Sequence, residues 1–172
     1  MNARMRVALL AWGVIILGAR VGVEVPVHPF EGLTVFVASQ VRLILAWIGL
    51  PVSQYAASLY IPGGFGYVVV TGCTGVVPAA VLAIAILASP ASAAARALGL
   101  VVAVPLVLLL NLLRLVHLFY LGVYDPQKFG LAHEVLWECA LIVATVGIWF
   151  GWWSWAGQRR DRATPFNAVM SG

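Results

Sequence analysis

Apolar runs at 7–23, 76–92, 98–121 and 134–155 constrain this chain more than any other feature, because each approaches the ~20 residues that carry an α-helix across a bilayer. Hydrophobic residues make up 63% of the 172 and charged ones only 9%, with a mean hydropathy of +1.01, so polar surface for a soluble globule is lacking. In lipid, the backbone donors and acceptors of each run must pair internally, and a helix does this within one segment. The expected fold is therefore an all-α integral membrane protein with about four transmembrane helices in a single membrane domain. The formal charge of +4 comes from basic residues scattered among apolar runs, which form no basic patch with interleaved aromatics and predict no nucleic-acid partner.

A fifth run, 33–50, contains Gln40 and Arg42, and Thr34, Ala38, Arg42, Ala46 and Gly49 align as one small or polar stripe at helical spacing. This pattern predicts an external amphipathic helix lying in the interface or packed on the bundle. If the other four runs cross and this one does not, then Arg4, Arg6, Arg96, Arg159, Arg160 and Arg162 all fall on the cytoplasmic side. Both termini then lie inside a plasma membrane, 156–172 forms a cytoplasmic tail, and the loops carrying Cys73 and His133 face outward. Arg4 and Arg6 before a short apolar run also describe a signal peptide, although Leu17 fits poorly with a cut at Ala19, and either outcome leaves Cys73 outside. Between 51 and 72, β-branched and aromatic residues at Leu59 to Ile61 and Tyr67 to Val70 flank Pro62-Gly63-Gly64-Phe65-Gly66, predicting a short external β-hairpin. Trp149, Trp152, Trp153 and Trp155 beside the terminal arginines form an interfacial belt.

Arg114 stands inside an apolar run, where a central guanidinium costs about 2.5–3.5 kcal/mol. Asn111 lies one turn deeper and His117 one turn shallower, a polar ladder on one side of the helix. Snorkelling to headgroups or a lipid phosphate explains Arg114 alone, but it does not require Asn111 beneath. Cys73, in Thr71-Gly72-Cys73-Thr74-Gly75, precedes the second span, where unpaired amides favour a thiolate. Thr74 is expected to cap that helix, and Gly72 and Gly75 to leave room for a substrate backbone. His133, followed by Glu134, opens the last span at the same depth, and its imidazole suits proton transfer near neutral pH. Nucleophile, base and anion stabiliser thus come from three helices into one outer layer. Taken singly, each also has a bland reading: Cys73 as a gap-filling apolar residue, His133 and Glu134 as an interfacial polar face.

Gly49-Leu50-Pro51-Val52, the hairpin, Val70-Thr71-Gly72-Cys73-Thr74-Gly75, Asn111-Leu112-Leu113-Arg114 and Gly130-Leu131-Ala132-His133 together resemble the exosortase and archaeosortase family over roughly 33–150. The chain is similar to a minimal core form, since larger members carry additional spans. The resemblance implies that Cys73 is the nucleophile and that Arg114 and His133 complete the site. It also implies secreted protein substrates ending in a short motif, a transmembrane helix and a basic cluster, cut beside the helix and passed to an acceptor whose identity stays open.

The mechanism expected is attack by a Cys73 thiolate on a peptide carbonyl to give a thioester, with Arg114 stabilising charge and Asn111 orienting it or adding a donor. His133 handles the proton, and the segment Leu59 to Val70 holds the substrate extended by strand addition. Two other classes remain open. One is a non-catalytic membrane subunit in which Arg114, Glu134 and Glu138 form a structural ion-pair network. The other is a thiol oxidoreductase using Cys73 and Cys139, although Cys139 lies roughly 9 Å of helical rise below His133. With no CxxC, three histidines and no Glu-x-x-His repeat, neither a metal nor another cofactor is expected.

Overall fold

The computed structural model describes residues 31–169, with side chains as far as 158. The predicted first span at 7–23, Arg4, Arg6 and the alternative signal-peptide cut lie outside these residues. Helix α1 (Glu31–Trp47) buries Thr34, Ala38, Val41 and Leu45 at spacings of four, three and four, and exposes Phe36, Leu43 and Trp47 on its other side. Of the small or polar stripe read from the sequence, only Thr34 and Ala38 are buried; Arg42 is half-buried and Ala46 and Gly49 are exposed. The helix stops in a left-handed cap: Gly49 has φ 90°, its N–H reaches Ala46 O at 3.0 Å, and Leu50 N–H reaches Leu45 O at 3.0 Å. Leu45 and Leu50 are both buried, so the cap is closed by the apolar contact such motifs favour.

Three short strands follow, β1 (Ser53–Tyr55), β2 (Ser58–Tyr60) and β3 (Gly66–Val68), in one antiparallel sheet ordered β1-β2-β3. The register pairs Gln54 with Leu59 and Leu59 with Tyr67. The predicted hairpin is thus a three-stranded meander, because a first strand is joined to it by the two-residue loop Ala56-Ala57. Ala56 takes φ 49°, a conformation that the turn formers Gly, Asn and Asp normally advertise and alanine does not.

A 3-10 turn (Thr71–Cys73) leads into α2 (Val76–Ala88), which ends before Pro90; Ser89 donates to Ala85 O at 2.7 Å and accepts from Trp149 Nε1 at 3.2 Å. Ser92 then caps α3 (Ala93–Tyr124) by accepting from Ala95 N–H at 3.2 Å. This 32-residue helix buries Gly99, Ala103 and Val107 in its first half and Asn111, Arg114, Leu115, Leu118 and Phe119 in its second. A short α4 (Pro126–Leu131) and a π-helical turn (Ala132–Leu136) precede α5 (Trp137–Val169), which continues past the predicted end of the last span.

Two helical stretches, Ala93–Tyr124 and Pro126–Gln158, are long and apolar enough to cross a membrane, whereas α2 has 13 residues. The architecture is mainly helical with a small sheet, and among the described residues the count of long spans is two rather than four. Two cores share α3. In one, Leu82 and Ile86 of α2 meet Ala103 and Val107 of α3 with Trp149 and Trp152 of α5 alongside. In the other, Leu45 of α1 and Leu59 and Val69 of the sheet region meet Leu115 and Phe119. Asn111 and Arg114 fall on the stretch of α3 between them.

Candidate active site

Cys73 ends the turn that follows β3, with its thiol free and partly exposed. Its N–H donates to Val70 O at 2.8 Å, and Thr74 donates to Thr71 O through both N–H, at 3.1 Å, and hydroxyl, at 2.7 Å. The expected cap of α2 by Thr74 therefore does not form. Gly75 is the N-cap, with φ 78°, and this left-handed residue leaves the Thr74 hydroxyl on the preceding turn. A Cβ on Gly75 would come within 2.9 Å of Asn111 Cβ and Cγ, so the space that glycine leaves is filled by α3. Gly72 differs: a Cβ there meets nothing within 4 Å.

Asn111 is 2% exposed and donates from Nδ2 to Cys73 O at 2.8 Å, tying the thiol-bearing turn to α3. Facing a carbonyl, the amide must present its NH₂ group, which leaves Oδ1 as the remaining acceptor. Asn111 Oδ1 and Arg114 Nε are both buried without hydrogen-bond partners among the described residues, and Arg114 is 7% exposed. Each such atom costs about 1–3 kcal/mol when left unpaired, and these two lie three residues apart on one helix beside the Cys73 turn, with a third, Arg96 Nε, in the first turn of the same helix.

Tyr67, which the sequence reading passed over, completes this group. Its hydroxyl donates to Leu115 O at 3.0 Å, beside Arg114. Asn111 and Leu115 are one turn apart, so a single face of α3 holds the Cys73 carbonyl and the Tyr67 hydroxyl about 6 Å apart in height. The phenol is pushed well above its ordinary value of 10.0, first by burial and then by the charge of Cys73, with Arg114 opposing. Strict alternation of Phe65, Tyr67 and Val69, which share the covered face of the sheet region, was the signal that could have found it.

His133 lies in the π turn, half-buried, and stacks on Phe129 with ring centroids 5.7 Å apart and planes at 13°. Its described contact is to that ring and not to Cys73. From Phe129 the aromatic contacts continue to Phe65 at 5.4 Å and from Phe65 to Tyr67 at 6.3 Å, linking the imidazole to the site through side chains of α4 and the sheet region. π turns recur at functional sites, because one extra residue per turn re-aims the side chains it carries. His117 is engaged elsewhere. Its Nδ1 accepts from Trp137 Nε1 at 2.9 Å across the α3–α5 contact, which puts the hydrogen of the neutral ring on Nε2. Glu134 is exposed on the π turn, and Cys139, also free, is exposed on α5.

Fold and site together define a helical protein with apolar spans in which a free thiol turn is bound to the same helix that carries a buried guanidinium. The model of the transmembrane exosortases matches residues 2–151, and the chain belongs to that family, one of cysteine-type transpeptidases. No curated protein and no solved structure matches the chain.

Proposed function

We propose that this chain is a membrane-embedded cysteine transpeptidase that cleaves carboxyl-terminal sorting signals of secreted proteins at the outer face of the plasma membrane. The reading includes four crossings, α1 in the interface and both termini inside, supported by the distribution of arginines. Its substrates are proteins ending in a motif, a transmembrane helix and a basic cluster, and the acceptor is a nucleophile of a second molecule. The observation that carries it is the Cys73 turn, hydrogen-bonded to Asn111 one turn from the buried Arg114 Nε, which has no partner among the described residues.

In this mechanism the Cys73 thiolate attacks the scissile carbonyl carbon, and Arg114 stabilises first the thiolate and then the tetrahedral oxyanion. Collapse breaks the C–N bond, His133 gives its proton to the departing amine, and the acyl group remains on sulfur as a thioester. The acceptor then attacks the thioester, His133 takes the proton back, and the C–S bond breaks to restore the thiolate. Asn111 holds the Cys73 carbonyl, so the nucleophile's backbone stays fixed while its side chain reacts. The test is co-expression of the protein, or its Cys73→Ala variant, with a secreted protein bearing such a tail. Processing by the wild type and none by the variant is expected; equal processing by both removes Cys73 as nucleophile.

A further inference from the structure

Bonding in the sheet is directional. Leu59 pairs with Tyr67, Ile61 N–H donates to Phe65 O at 2.9 Å, and Val69 N–H donates to Ala57 O at 2.9 Å. Phe65, Tyr67 and Val69 therefore turn their backbone groups toward β2, and the residues between them turn theirs away. Gly66 and Val68 each present an N–H and a C=O to the open side of β3, and Val70 adds an N–H, its carbonyl being taken by Cys73 N–H. Among the described residues nothing bonds to this row. Val68 and Val70 are 56% and 55% exposed, whereas Phe65, Tyr67 and Val69, which alternate with them, pack into the core. From this edge the chain passes directly into the turn Thr71-Gly72-Cys73, which holds the one glycine of the motif that borders open space.

We infer that the open edge formed by β3 and the extended residues after it, Gly66 to Val70, is the docking strand for the substrate, pairing with the extended residues that precede the scissile bond and delivering their carbonyl to Cys73. The inference rests on the transpeptidase reading. Because β3 runs toward Cys73 and the substrate runs toward its own cleavage point, the added strand is parallel to β3. Val68 then bonds two substrate residues that flank it, and the substrate residue between them turns its N–H away. Main-chain pairing explains how one site accepts a tail through its backbone, with side-chain selectivity left to alternate positions.

The experiment uses the full chain in lipid nanodiscs and a synthetic peptide copied from the cleavage region mapped on the co-expressed tail protein. N-methylation is scanned along the residues before the scissile bond. An alternating pattern is expected, with about 3- to 10-fold rises in KM at every second residue and little change between. Val68→Pro removes an outward N–H and blocks the edge without touching the bonds to β2, which proline tolerates at a strand edge. It should raise KM about 10-fold or more while kcat, Tm and the Cys73 alkylation rate stay near wild type. A flat N-methyl scan, or a Val68→Pro enzyme with unchanged KM, overturns the docking strand while leaving the nucleophile in place. Loss of Tm in Val68→Pro with KM unchanged assigns the edge to a segment of the chain itself. Failure of the Cys73→Ala test is a separate result that ends the transpeptidase reading.

Discussion

Gly75 and Gly72 flank the same cysteine, and the structure gives their replacement by alanine opposite consequences. In Gly75→Ala the new side chain sits at φ 78°, where an L residue costs about 1–2 kcal/mol, and its Cβ lies 2.9 Å from Asn111 Cβ and Cγ. Asn111 is on a packed helix and has no room to retreat, so the bond from Nδ2 to Cys73 O, 2.8 Å long, stretches or breaks. A stranded buried carbonyl adds about 1–3 kcal/mol. The total is about 2–5 kcal/mol, or roughly 4–20 °C in Tm for a chain of this size. Gly72→Ala meets nothing within 4 Å and should stay within about 0.5 kcal/mol of wild type. Thermal unfolding of both variants in the same detergent, followed by processing of a tail-bearing protein, measures the contrast. A Gly75→Ala protein with wild-type Tm and activity refutes the close-approach argument, as does a Gly72→Ala protein that falls as far.

Tyr67→Phe keeps the ring and loses the bond to Leu115 O, which lowers stability by about 1 kcal/mol. The same variant tests the raised phenol. The folded state keeps that proton above the unfolded value of 10.0, so stability is intact below about pH 10 and falls as pH rises further. Denaturation from pH 8 to 11 should show a steeper alkaline loss in wild type than in Tyr67→Phe, and parallel curves would contradict it. Asn111→Ala strands the Cys73 carbonyl and should lower stability by about 1–3 kcal/mol and abolish most processing; unchanged processing would show that the turn is held by other means. Trp137→Phe withdraws the donor from His117 Nδ1 at a cost of about 1 kcal/mol, seen as a Tm shift with processing retained, and a loss of activity would place His117 in the chemistry after all.

Much of the arrangement was legible because it rests on periodicity. The long apolar run around Asn111 and Arg114 and the strands Leu59 and Tyr67 belong to follow from residue type and spacing. What was not legible depends on contacts between distant segments. Gly75 reads as room for a substrate until Asn111 is seen 36 residues away in the chain occupying that room. β1 is not legible in the sequence because Ala56-Ala57 turns the chain without the residues that announce a turn, and the sheet's packing on α1 and α3 supplies what local chemistry does not. Thr74 looked like a cap by identity alone, and Tyr67 looked like one more aromatic of a strand. His133 was placed by depth, whereas its neighbour Phe129 comes from a helix too short to be read from a repeat.

In the proposed four-crossing topology, the shortness of α2 has a consequence for the lipid. Thirteen residues rise about 20 Å, against about 30 Å of hydrocarbon in an ordinary bilayer. Its Ser89 end is tied to Trp149, one of the tryptophans expected to form an interfacial belt. The shortfall of roughly 10 Å therefore falls at the Cys73 end, where acyl chains must thin or headgroups and water must dip inward. In that topology the proposed nucleophile would work at the bottom of a dimple in the membrane surface. A substrate peptide bound there would stay hydrated while the helix behind it stays in oil, and the acyl-chain length of the surrounding lipid would set the depth of that dimple.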